Sequence, residues 1–444
     1  MATTQRSRTL EEWLRTLESQ HPKKIDLGLD RIQTVLRALS IDDPAYRIVA
    51  VGGTNGKGSC VAMLESIYRE AGYRVGAFTS PHIWRFNERI RLGGMEVTDE
   101  ELIELFAAID EARGGTTLSY FEYSAVAALL FFTRGDAEIA VLEVGLGGRL
   151  DAVNAVQPDA SLIVSVSLDH QHWLGDTRDV IGREKAGIAR SGRSVVVADR
   201  EPPEGLLEAA RTVGAQLRLI GRDFDRKREG SLGTWSYQGR GAVVTGLPMP
   251  SFGGGEQADN AAACVAVVES LGAILPVDRG AIARGIRCAE LRARIERRDI
   301  DGVEWVFDVA HNPAAAGVLS AALQRDGGPR RTLAVVGIMG DKDVGGVLEP
   351  LIPIVDQWIV TQAETDRGAP PEVLRAALAT RDVVGTRVRP NVVEACRAAQ
   401  SMSRPGDRVV VFGSFYLVGP AMSALGLYCA PSQPGDVSAR WTAD

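Results

Sequence analysis

The sequence predicts an α/β fold in two domains, each built on a mostly parallel sheet. Three observations point there. Apolar runs of strand length recur with little in-and-out alternation, as in strands buried on both faces. Helical patterns stand between those runs. The chain, at 444 residues, is also too long for one ordinary core.

Leu10, Trp13, Leu14 and Leu17 mark one face of an opening helix. "YRIVAVGG" then reads as a strand, "SCVAMLESIYREAG" as a helix closed by Gly72, and "YRVGAFTSPH" as a strand. "TDEELIELFAAIDEA" is a helix capped by Thr98, with acids in its first turn. "FEYSAVAALLFFTR" is a buried helix, and "AEIAVLEVGLGG", "ASLIVSVSLDH" and "SVVVADR" are strands. Residues 225–255 break the rhythm: "GTWSYQGRGAVVTG" suggests short antiparallel strands, and "PMPSFGGGEQ" a turn-rich link. Helix returns with "ADNAAACVAVVESLG". A second block offers strands in "WVFDVA", "RTLAVVGIMG", "QWIVTQAE" and "DRVVVFGSFY", with helices near 313–325, 370–380 and 391–402. The domain break falls near 290, and the polar end "APSQPGDVSARWTAD" reads as frayed.

Composition narrows the function. A hydrophobic share of 45% and a charged share of 24% describe a soluble globular protein. A net charge of −7 gives no footprint for nucleic acid. The longest apolar run, "AVAALLFF", is too short to span a bilayer. Five scattered cysteines without a signal segment suggest reduced thiols and a cytoplasmic location.

The stretch "VGGTNGKGSC" nearly spells the common phosphate loop, but its hydroxyl stands one place late, at Ser59. A strand, then Gly52 to Ser59, then a helix is the context in which backbone N–H groups cradle phosphate, helped by the helix N-terminus and by Lys57. Other polar residues lie at predicted strand ends: Ser80 and His82, Glu143, and Asp169 with His170. Glu143 inside an apolar strand is costly unless it is ion-paired or metal-bound. His170 taken alone reads as a buried histidine, and Lys185 alone as a helix lysine.

"GGTNGKGS", "TSPHIWRFNERIR", "FEYSAVAALLFF", "LEVGLGGRLDAVN", "SLDHQHWLGDTRDVIGREKAGI" and "FDVAHNP" follow one another in order. Together they resemble the folylpolyglutamate synthase/dihydrofolate synthase family of the Mur-ligase superfamily, over roughly residues 25–420. That family carries its loop as Gly-Thr-Asn-Gly-Lys-Gly-Ser/Thr, so the displaced hydroxyl belongs to the design. The resemblance implies a P-loop ATPase-like domain over 1–290, holding the ATP and pterin sites. It implies a smaller Rossmann-like domain over 291–444 on the glutamate and ATP side. It also implies an amide ligase that activates a pterin-bound carboxylate as an acyl phosphate and transfers it to L-glutamate, acting on dihydropteroate and on folates. Readings as a ligase that only extends folates, as a muramyl-peptide ligase, or as an ATP-binding regulator stay beside it.

Carried over residue by residue, Thr54, Asn55, Gly56, Lys57, Gly58 and Ser59 match the ATP loop. Asn260, Arg294 and Asp308 match further ATP contacts. Ser80, Glu143 and His170 match magnesium ligands, and Lys185 matches a lysine carried as a carbamate. Lys57, His170 and Lys185 are thus the expected catalytic residues. Asp26-Leu27-Gly28-Leu29, Ser119-Tyr120-Phe121-Glu122 and Leu150-Asp151-Ala152 resemble dihydropteroate-contacting segments. In the second of these, an aromatic pair beside a carboxylate suits a flat ring bearing N–H groups, with a helix-start core cluster as the other reading. The implied cofactors are Mg2+ and ATP as co-substrate, with room for a monovalent cation. The implied partners are small molecules only, with the chain a monomer. Where many family members read Pro-Gly-Arg, this chain reads Arg292-Ala293-Arg294, and where many read His-Gln it reads Glu256-Gln257.

Overall fold

The computed structural model describes residues 8–21, 26–229, 233–241, 243–253, 255–324, 328 and 331–427. The end expected to fray lies outside them. The chain divides into two compact units, one ending at Leu291 and the other beginning at Arg292.

The first unit holds an eight-stranded sheet. Its order in space is Met95–Glu96, Ile90–Leu92, Val75–Phe78, Ile139–Glu143, Arg47–Gly52, Ala160–Ile163, Ser194–Val197 and Gln216–Leu219. Every pairing is parallel except those of the two edge strands Ile90–Leu92 and Met95–Glu96. Alternate residues feed two cores, as a sheet covered on both sides requires. Ile48 and Ala50 pack with Trp13, Ile32, Leu102 and Tyr123 on one face. Val49 and Val51 pack with Leu64, Cys264 and Ile286 on the other. The buried helix Tyr120–Arg134 and the helix Asp99–Arg113, with its Thr98 capping box, match the sequence reading. The antiparallel strands also appear, as a three-stranded sheet of Asp225–Glu229, Thr234–Gln238 and Val243–Leu247. The helix Asp30–Ala38 was not anticipated.

One expectation is corrected in a way that matters to the site. "ASLIVSVSLDH" was read as strand to its end, but the strand stops at Ile163. Val164 N–H still donates to the Gly52 carbonyl at 2.9 Å, and beyond it the backbone of Ser165 and Ser167 turns to Thr54 of the Gly-rich loop.

The second unit holds a six-stranded sheet: Glu296–Ile300, Val303–Asp308, Arg408–Phe412, Thr332–Val336, Gln357–Val360 and Arg387–Val388. The first strand is antiparallel and the rest are parallel. Among the described residues no helix is long and apolar enough to cross a membrane.

Candidate functional site

The strand Arg47–Gly52 runs into the loop, and the helix Lys57–Glu70 leaves it. Gly56 caps that helix at φ 87, in the left-handed region. A side chain there would stand 2.8 Å from Val164 Cγ1, so only glycine fits on both counts. Thr54 N–H donates to the Ser165 carbonyl at 2.7 Å, and Asn55 N–H to Ser165 Oγ at 3.0 Å. Lys57 Nζ folds over the loop, donating to the carbonyls of Gly53 and Thr54, each at 3.1 Å. The first-turn N–H groups of the helix have no intrahelical acceptor, which leaves an anion cradle under Lys57.

Glu143 closes the neighbouring strand, level with Val51. It is 5% exposed, and Oε2 accepts the Ser80 N–H at 3.0 Å. A Cβ on Gly58 would lie 3.7 Å from the same oxygen, so the carboxylate rests against the first turn of the helix. One residue on, Ser59 Oγ is buried without a hydrogen-bond partner. A carboxylate and an orphan hydroxyl are the oxygen donors a hard divalent cation takes, so this neighbourhood fits such an ion. Among the described residues no three His, Cys, Asp or Glu side chains cluster to hold a metal without help from other donors. His170 has φ 51 and precedes the short helix Gln171–Leu174. Its Nε2 lies 3.9 Å from Asp169 Oδ1.

Lys185 ends the helix Arg178–Lys185 and is 4% exposed. Its Nζ donates to the Gly53 carbonyl at 2.9 Å. Burial, and then the positive charge of Lys57, bring its pKa down to about 7, against the pull of Asp169 and Asp151. At neutral pH the amine is therefore partly uncharged, the form that reacts as a nucleophile. Asp151 is buried in a turn, accepting N–H groups from Leu146 and Val153 at 2.8 and 3.0 Å. Burial pushes its carboxyl up to about 6, opposed by those hydrogen bonds and by Lys57.

The three segments matched to the pterin are placed as follows. Leu29 precedes the helix Asp30–Ala38, and from that helix Arg31 reaches the Asp26 carboxylate at 2.8 Å and Glu122 Oε1 at 3.1 Å. The other Glu122 oxygen takes the Ser119 N–H at 2.7 Å in a capping box. Glu122 thus ties the first segment to the second, a role its sequence position did not reveal. Tyr120 packs edge-on against Phe86 and under Arg89, whose guanidinium is 5.4 Å from the ring centre. Phe121 packs on Phe78. Arg89 also donates to His82 Nδ1 at 2.8 Å, and burial followed by this cation takes the His82 pKa down to about 3. Asp151 begins the third segment's turn, with Ala152 buried behind it. Arg31 and Arg89 are absent from the sequence reading because the contacts that join them to the second segment, to Glu122 and to Tyr120, are distant in sequence, while Asp26 and His82 lie near them; Arg89 stands inside the quoted "TSPHIWRFNERIR".

Asn260 lies on the helix Gln257–Leu271 and meets the loop from the far side. Its amide is 3.2 Å from where a Gly56 Cβ would stand, and its Nδ2 donates to Gln257 Oε1 at 3.0 Å. Within the second unit, Asp308 is 8% exposed, and its two oxygens accept N–H groups from Ile295 and Ala310 at 2.8 and 2.7 Å. Those bonds span a strained turn, with Ala293 at φ 55 and Ile295 at φ 51. Between them, Arg294 stands over the Phe415 ring, 5.4 Å from its centre. His311 packs against the same ring, and Asn312 caps the helix Pro313–Gln324 through Ala315 N–H. Ser414 caps the helix Phe415–Ala424.

Comparison with known proteins places the chain among characterised families. Residues 293–415 match the family model "Mur ligase, glutamate ligase domain". A "dihydrofolate synthase/folylpolyglutamate synthase" of Escherichia coli is 38% identical, over 95% of this chain and 97% of its own. E. coli FolC, solved in complex with DHPP and ADP, matches with a TM-score of 0.90 at 38% identity, covering 96% of this chain and 99% of that one. A bifunctional folylpolyglutamate synthase/dihydrofolate synthase of Yersinia pestis, complexed with AMPPNP and Mn, matches with a TM-score of 0.87 at 38% identity, covering 96% of this chain and 100% of that one.

Proposed function

Because this chain belongs to the dihydrofolate synthase/folylpolyglutamate synthase family, we propose that it joins L-glutamate to dihydropteroate, forming dihydrofolate, and to folates, extending their glutamate tail. It is an ATP-dependent ligase acting on small molecules, and it uses a divalent metal. The neighbourhood of Gly58 supports the reading most: the Glu143 carboxylate rests against the helix turn that carries Lys57 and the buried Ser59 hydroxyl, beside a phosphate-type loop.

A carboxylate is a poor acyl donor until its oxygen becomes a good leaving group. The pterin-bound carboxylate attacks the γ-phosphorus of ATP, giving an acyl phosphate and ADP. The glutamate amine then attacks the acyl carbon and inorganic phosphate departs, leaving the amide. The chain's part is positioning and charge neutralisation. The first-turn N–H groups and Lys57 hold the phosphates. Ser80, Glu143 and His170 are assigned to Mg2+, which offsets phosphate charge when bound, with a monovalent cation as a second ion. Lys185 is assigned as a carbamate, formed when its neutral amine attacks CO2 and loses a proton. Asn260 is assigned to the adenine side, and Arg294 and Asp308 to ATP. We place the pterin site and the phosphate loop in residues 1–290 and assign 291–444 to the glutamate and ATP side, in a cytoplasmic monomer.

Phosphate release measured with dihydropteroate, with tetrahydrofolate and with neither, each with ATP and L-glutamate, tests the function. Release with both pterins and not without them is expected. Release with tetrahydrofolate alone would reduce the activity to chain extension, and release with neither pterin would overturn the reading.

A further inference from the structure

We propose that Ser165 is a positioning residue for the nucleotide, holding the front half of the phosphate loop so that the ATP phosphates are met by the back half. The inference rests on the reading of this loop as the ATP site. The backbone donors of Thr54 and Asn55 are both used inside the protein, the first on the Ser165 carbonyl and the second on Ser165 Oγ. The same hydroxyl returns its proton to the Asn55 carbonyl at 3.1 Å, so one side chain closes a two-way bond with one backbone unit. Thr54 Oγ1 adds a further link, accepting the Ser167 N–H at 3.0 Å. Contact is close enough that a Cβ on Gly53 would stand 3.1 Å from the backbone nitrogens of Val164 and Ser165.

The segment that does the holding is itself held. Arg178 Nε donates to the Val166 carbonyl at 2.8 Å, and Asp199 Oδ2 accepts from Val166 N–H at 2.9 Å and from Arg178 at 3.1 Å. Residues 54–55 are therefore fixed before any ligand arrives, and Gly56 to Ser59 form the helix N-terminal turn, the part of such a loop that meets phosphate. After Val164 N–H, which still bonds the Gly52 carbonyl, the next backbone bond from this strand, at the Ser165 carbonyl, serves the loop.

Steady-state kinetics of Ser165→Ala, Ser165→Thr and Lys57→Ala test this, with thermal melting as the folding control. Ser165→Ala should raise the KM for ATP about tenfold, the effect of losing one or two modest hydrogen bonds. The KM for L-glutamate should not move, and Ser165→Thr should restore the parent value. A KM for ATP within twofold of the parent in Ser165→Ala overturns the proposal. Full turnover by Lys57→Ala would instead count against the loop as the ATP site. Amide hydrogen exchange of the parent gives a second readout that needs no variant to fold. The Asn55 N–H should exchange slowly without nucleotide and be unchanged by ADP. Fast exchange that ADP slows would assign that N–H to the nucleotide and overturn the proposal.

Discussion

Lys57 and Lys185 direct their ammonium groups at one carbonyl: both Nζ atoms donate to Gly53 O, at 3.1 and 2.9 Å. Two cations on one acceptor repel, and Lys57 is the main charge that, after burial, lowers the Lys185 pKa. Lys57 thus favours the neutral amine at Lys185, the form that the proposed carbamylation would require.

Lys185→Arg is expected to be nearly inactive, because arginine keeps the positive charge that carbamylation removes. Carbon-13 NMR with labelled bicarbonate should show a carbamate signal in the parent and none in the variant. Near-normal turnover by Lys185→Arg would mean that position 185 works as a cation or not at all.

The same group makes stability depend on pH in CO2-free buffer. Below pH 7 the amine is protonated in both folded and unfolded chains, and the cost of burying the charge is present in full. Between about 7 and the ordinary lysine value of 10.5 the unfolded chain holds more protons, so this contribution to stability rises with pH. Urea denaturation of parent and Lys185→Met across that window should show the slope in the parent alone.

Lys57→Ala should stay folded and lose turnover by more than a hundredfold, as for other deletions of a pre-placed charge at a transferring group, about 3 kcal/mol or more. Activity within tenfold of the parent would sink the phosphate-loop assignment.

Glu143→Ala and His170→Ala should each shift the Mg2+ titration of activity to higher concentration, with incomplete rescue at saturation. An unchanged titration and rate in either variant removes that residue from the ligand set.

Much of this was legible in the sequence because it is local. The strand-loop-helix context, the Thr98 cap and the two-sided burial of the strands depend on residues near one another in the chain. Ser165 was not legible: its hydroxyl lies inside a run that reads as strand, and its partner stands 110 residues away. Glu122 had two readings: its capping bond to Ser119 is local, but its ion pair with Arg31 becomes visible only once the helix Asp30–Ala38 is placed. Asp308 resembles an ATP contact, yet one of its oxygens fixes the turn before it through Ile295 N–H and the other accepts from Ala310.

That turn gives a further test. Ala293 occupies φ 55, a conformation glycine adopts freely and alanine does not. Ala293→Gly should raise stability by about 1 kcal/mol, relief of backbone strain outweighing the lost methyl contact. A lower urea midpoint would show that the buried methyl matters more.

The registers beneath the site have a consequence for insertions and deletions. Val51 pairs with Glu143 on one side and Leu162 on the other, and all three strands end at the same edge. Removing one residue from Ile48–Val51 would pull the loop back by about 3.3 Å and exchange the side chains sent to the two cores. The bonds from Ser165 to the loop and from Ser80 to Glu143 depend on those edges being level. Along these strands length is therefore under tighter constraint than identity: an isoleucine can become a valine where no residue can be gained or lost.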